Sequence, residues 1–126
     1  MTVQVLNGPT IAAGASLSNA LNVSNGVMFR LIMPSEWTPA LLTFQISHDG
    51  LNFYNVFDAD GKELARPIVP QSIMPFGHYV LDIHSIKLRS GTLRTPIEQQ
   101  FTREFKIVVE TSNQLARQAA SDIANT

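Results

Sequence analysis

Apolar and polar residues alternate with a period of two over much of the chain. Leu42, Phe44 and Ile46 alternate with Thr43, Gln45 and Ser47, the pattern of a strand with one face buried. Val3 and Val5 alternate with Thr2 and Gln4 in the same way. Residues 27–33 (VMFRLIM) are apolar on both faces except at Arg30, which suits a central strand. Further strands are predicted at 53–57 (FYNVF), 62–65, 79–83 (YVLDI), 85–89 (SIKLR) and 105–110 (FKIVVE), the last rich in β-branched residues. Asp49-Gly50 and Asp60-Gly61 mark turns between them, because glycine accepts a positive φ at low cost. Seven glycines and seven prolines punctuate the chain as far as Pro96, which leaves no room for a long helix between residues 8 and 96. About seven or eight short strands at roughly 8–12-residue spacing are the pattern of a β-sandwich or barrel. The expected core is Val27, Phe29, Leu31, Leu42, Phe44, Ile46, Phe53, Val56, Val80, Leu81, Ile83, Ile86, Leu88, Phe105, Ile107 and Val109.

Two stretches exceed a minimal sandwich. Residues 90–104 (SGTLRTPIEQQFTRE) form a connection long enough to suggest a function. Residues 111–126 (TSNQLARQAASDIANT) place Leu115, Ala116, Ala119, Ala120, Ile123 and Ala124 on one stripe at helical spacing, with Ser112 or Asn113 as caps. A helix this short is marginal alone in water, so it calls for packing against something. The expected organisation is one sandwich domain over residues 1–110 with an N-terminal arm, followed by a tail over 111–126.

The length of 126 residues suits one domain and is enough to bury roughly two-thirds of the unfolded surface without a disulfide or metal staple. The hydrophobic fraction of 44% argues against disorder. Charged residues make up only 15%, against the usual quarter or so, and a small domain so poor in charge is hard to cover with solvated groups. This points to large contact surfaces on other subunits. The formal net charge is -1 and the nine basic residues are scattered, which argues against electrostatic binding of nucleic acid. The absence of cysteine removes disulfide scaffolds, thiolate metal sites and cysteine nucleophiles. No apolar run approaches the ~18–20 residues of a membrane span. The start, MTVQVLNGPT, has no basic region before an apolar core and does not read as a signal peptide. Synthesis and folding in a cytosol are expected.

Candidate chemistry is sparse. His48, His78 and His84 lack ligand spacing; Asp82 and His84 share a strand face, which a solvated surface explains better than a metal does. Asp49, Asp58 and Asp60 cluster around turns with Asn52 and Asn55 near, but the calcium-loop alternation fails at Ala59 and Gly61. Ser16, Ser18 and Ser24 sit in no nucleophile elbow, and no phosphate-binding loop occurs. Paired carboxylates meet only in space, and nothing in the chain singles out a pair. No enzyme, catalytic residue, metal site or cofactor is therefore expected. Trp37, between Pro34 and Pro39, reads as a cap on the end of the core, a subunit anchor or a sugar platform. Phe53 and Tyr54 face opposite sides of a strand, Phe53 toward the core and Tyr54 toward a surface or interface.

Four segments carry a resemblance. They are 10–24 (TIAAGASLSNALNVS), 33–64 (MPSEWTPALLTFQISHDGLNFYNVFDADGKEL), 84–91 (HSIKLRSG) and 103–110 (REFKIVVE). The order of a Pro-x-x-Trp element, a strand ending S-x-D-G-x-x-F, a D-x-D-G turn and an I-K-L-R-S-G strand resembles a family of small proteins encoded in tailed-phage and prophage structural gene clusters. The resemblance covers residues 10–110. It implies a jelly-roll-like antiparallel β-sandwich of about eight strands. It also implies a capsid decoration (cement), head-fibre or spike-base role on the virion surface, after synthesis in the host cytoplasm. The implied partners are the major capsid protein and copies of the chain itself, without nucleic acid or membrane. Residues 1–9, 90–104 and 111–126 are the expected contact segments. Trp37, Tyr54, Leu93, Ile97, Phe101, Leu115 and Ile123 are the contact candidates. The alternative is a glycan-binding module for host adsorption, using Trp37, Tyr54 or Tyr79. A cupin-type enzyme ranks last, since no cluster of His with Glu is present.

Overall fold

The computed structural model describes residues 3–24, 27–75 and 83–110. Among these residues eight strands run in chain order: β1 (Val3–Ile11), β2 (Leu21–Asn22), β3 (Val27–Ile32), β4 (Leu42–Ser47), β5 (Tyr54–Asn55), β6 (Ile73–Pro75), β7 (Ser85–Ser90) and β8 (Arg103–Glu110). They build two four-stranded sheets, β1-β8-β3-β6 and β2-β7-β4-β5. Every pairing is antiparallel. The order follows one rule. The chain doubles back at β4–β5 into a long ribbon that pairs β4 with β5, β3 with β6, β2 with β7 and β1 with β8. The ribbon then rolls so that β8 also meets β3 and β7 also meets β4. This is the jelly-roll sandwich.

The core lies between the sheets. Leu42, Phe44, Ile86 and Leu88 from one sheet face Leu31, Phe105, Ile107 and Val109 from the other, with Ile11, Val23, Met33, Val56 and Ile83 completing it. The alternation read in 42–47 sets one face of β4: Phe44 pairs with Leu88 and Ile46 with Ile86. Two irregularities shift side chains between faces. Between Asn7 and Thr10, β1 advances three residues while β8 advances two, at the positive-φ Gly8 and the cis Gly8–Pro9 peptide. Between Met28 and Arg30, β3 advances two residues while β8 advances one.

Several expectations are corrected. The β3 bulge reverses the in–out order, so Val27 sits opposite Glu110 on the outer face and is half-buried rather than core. Phe53 is also half-buried, lying under the Lys87 ammonium at 4.4 Å from the ring centroid instead of in the core. The strands expected at 53–57 and 62–65 shrink to β5 plus single bridges, Phe57 to Glu63 and Leu42 to Arg66. The short β2 and β6 were not expected, since two or three residues carry no periodicity. Tyr79 to Asp82 of the strand expected at 79–83, with Val80 and Leu81, lies outside the described residues. So do His78, the 111–126 tail with Leu115 and Ile123, and the side chain of Phe29.

The two Asp-Gly segments are turns. Asp49 accepts from the amides of Leu51 and Asn52 at 2.8 Å each, from the Asn52 side chain at 2.7 Å and from the Ser47 hydroxyl at 2.9 Å. Asp58 accepts from the amides of Asp60 at 2.9 Å and Lys62 at 3.0 Å. The amide of Asn52, then that of Leu51, then the Asn52 and Ser47 side chains hold the Asp49 carboxyl well below the usual carboxylate range. A lowered value in the folded state means that this stabilisation is present above the unfolded aspartate value of about 3.9 and is lost as pH falls below it. Urea unfolding midpoints should therefore fall between about pH 5 and about pH 2, less steeply in Asp49→Asn than in the parent chain. Equal slopes in the two proteins would show that the turn does not need the charge.

Candidate functional site

Three loops meet at one end of the sandwich: 12–20, 33–41 and 91–102. Gln99 joins them and is fully buried. Its backbone amide donates to Ala15 at 3.0 Å and its carbonyl accepts from Gly14 at 2.8 Å. Its side-chain oxygen accepts from the Thr38 amide and from Arg103 Nε, both at 2.9 Å. Its side-chain nitrogen donates to the Thr38 carbonyl at 3.0 Å and to Ser90 Oγ at 2.7 Å. Every polar group of this residue is thus engaged, and the long connection 90–104 is a pinned structure. Gly91 tightens it further. Its amide donates to the Leu41 carbonyl at 2.7 Å and its own carbonyl accepts from Thr43 Oγ1 at 2.8 Å.

Arg103 opens β8 beside this hub. It is buried, with Nη2 3.2 Å from Thr38 Oγ1 and Nη1 4.0 Å from a carboxylate oxygen of the exposed Glu36. Its guanidinium carbon lies 5.7 Å from the centroid of the Phe101 ring, and Phe101 is 62% exposed. Pro34, Ser35, Glu36, Phe101, Arg103 and Glu104 are among the residues around a groove of about 400 Å³ here.

The contact candidates separate. Trp37 is half-buried, packs edge-on against Phe105 with centroids 5.7 Å apart, and donates its indole N–H to the Ala40 carbonyl at 3.0 Å. It caps the end of the core. Ile97 is half-buried and its amide donates to Ser90 at 2.9 Å. Tyr54, Leu93 and Phe101 present exposed side chains. Leu93 shares a second groove, of about 460 Å³, with the exposed Phe57, which carries no contact signal in the sequence. Phe101 stands by the Arg103 groove, so Leu93 and Phe101 serve different surfaces.

On the outer face of the β2-β7-β4-β5 sheet, Thr43, Ser47, Ser85 and Arg89 are buried where alternation implied solvent. Arg89 pairs with Glu63 at 3.2 Å and donates to Asn55 at 2.8 Å. Glu63 in turn accepts from the Leu93 amide. His84 bonds the Ser85 hydroxyl at 2.7 Å. Among the described residues no three His, Asp or Glu side chains gather as metal ligands would.

The outer face of the other sheet is different. Val3, Val5 and Ile73 are half-exposed there. Among the described strands β1 stands at the edge of its sheet, and its residues Val3–Ile11 include no charge. No protein-family model matches the chain, and neither a curated protein nor a solved structure matches it.

Proposed function

We propose that the chain is a structural virion protein that decorates a phage head lattice, binding copies of itself and the major capsid protein. The observation that carries this reading is the edge of β1, which no other described strand covers. Over Val3 to Asn7 it carries no charge and exposes Val3 and Val5 along a stretch of backbone that pairs with no second strand among the described residues, while Thr10 bonds Asn19 through both its backbone groups. Proteins that remain alone blunt such edges with charge, proline or a bulge. Here Pro9 and the bulge interrupt only the second half, and Val3 to Asn7 stays regular.

The sparse charge of the chain, 15%, supports the same reading. So does the placement of exposed apolar side chains on separate surfaces: Val3 and Val5 at one sheet, Phe57 and Leu93 at the other, Phe101 at the loop end. A lattice subunit meets several neighbours, each contact of modest area, and repetition converts modest contacts into avidity.

Co-sedimentation with undecorated capsids of the phage or prophage that encodes the chain tests this. Saturable binding is expected, and Val5→Lys on the half-exposed edge should weaken it by about tenfold or more while leaving the unfolding midpoint nearly unchanged. A chain that stays monomeric and never sediments with the particle overturns the reading.

A further inference from the structure

We infer that the groove between residues 34–36 and 101–104 binds a neutral saccharide. The inference rests on that groove alone and not on the virion reading. At about 400 Å³ the groove falls within the size range of small-ligand sites.

Three groups in it match the chemistry of a sugar ring. Phe101, 62% exposed, offers a flat apolar surface on which the C–H face of a pyranose can lie. Arg103 Nη1 and a Glu36 carboxylate oxygen stand 4.0 Å apart, beyond hydrogen-bond length. A sugar hydroxyl can take the place of water between them, because it accepts from a guanidinium and donates to a carboxylate at once. Ser35 and Thr102 add hydroxyls to the rim.

The structural role of Arg103 does not account for this arrangement. Nε and Nη2 are committed to Gln99 and Thr38. Nη1 has no hydrogen bond to another described residue, and Arg103 is among the residues around the groove, which leaves Nη1 as its nitrogen for a ligand there. The charges select the ligand. Glu36 and Glu104 face a single cation, Arg103, which leaves the lining net negative and disfavours acidic sugars and phosphates. The Gln99 hub fixes the guanidinium in advance, so binding costs little side-chain entropy at Arg103.

A two-dimensional amide NMR titration with maltose, cellobiose, lactose and chitobiose tests the inference. Saturable shifts are expected with at least one of them, confined to residues 34–38 and 99–104, at a Kd of roughly 0.1–10 mM. Phe101→Ala should raise that Kd about tenfold or more, and Glu36→Gln about threefold, both side chains being exposed and outside the core. Leu51→Ala, on the exposed 48–53 loop, should leave it unchanged. No saturable shift with any of the four sugars, an unaltered Kd in Phe101→Ala, or tighter binding of sialyllactose than of lactose overturns the inference. Capsid co-sedimentation is read separately, so either proposal can fail while the other stands.

Discussion

Gln99→Leu should destabilise the fold by about 3–5 kcal/mol, seen as a lower urea midpoint at an unchanged slope. Leucine is close in size, so the loss is one of hydrogen bonds rather than of volume. Four side-chain bonds disappear. The Thr38 amide and carbonyl, the Ser90 hydroxyl and Arg103 Nε lose their partner in a place where water has little access. Each buried group left without a partner costs about 1–3 kcal/mol, less where the surroundings relax toward solvent. Arg103 keeps its contact with Thr38 Oγ1, its long approach to Glu36 and its place over the Phe101 ring, none of which satisfies Nε. A cost below about 1 kcal/mol would show that the backbone bonds of Gln99 to Gly14 and Ala15 hold the three loops unaided.

Gly91→Ala should be nearly as damaging, at about 3 kcal/mol or more. Gly91 adopts φ of +88°, in the left-handed region that a side chain disfavours by about 1–2 kcal/mol. A Cβ there would also strike backbone: the Thr95 carbonyl, the Ile97 nitrogen at 2.6 Å and Pro96 Cα at 2.9 Å. Backbone atoms cannot rotate aside as a side chain does, so the 91–97 turn must move. Its bonds to Leu41 and Thr43 then move with it. Gly61→Ala is the matched control. Its φ is +78°, but nothing lies within 4 Å of the added carbon, so only the conformational cost of about 1 kcal/mol remains. Equal effects of the two substitutions, measured by thermal unfolding, would refute the steric account.

The candidate groove was legible only in pieces. Phe101 was named in the sequence as a contact candidate, and its side chain is exposed. Trp37, the more conspicuous aromatic, is an end cap on Phe105. Glu36 and Arg103 are 67 positions apart and carry no joint pattern; the β3–β8 pairing and the pinned 91–102 loop bring them together. Gln99 carried no signal at all. A glutamine in a polar stretch looks solvated until three loops close over it.

Local chemistry along the chain was enough for the all-β class, the strands at 42–47, 85–89 and 105–110, the two Asp-Gly turns and most of the core. Those features follow from period-two alternation, β-branching and glycine, which act on residues within a few positions of one another. The faces of Val27 and Phe53, the strands β2 and β6, and the buried polar layer of Thr43, Ser47, Arg89 and Gln99 required the folded chain. A bulge shifts register against a partner strand, and a loop covers a face only once the ribbon has rolled. Both depend on contacts between residues far apart in sequence, which no short-range pattern records.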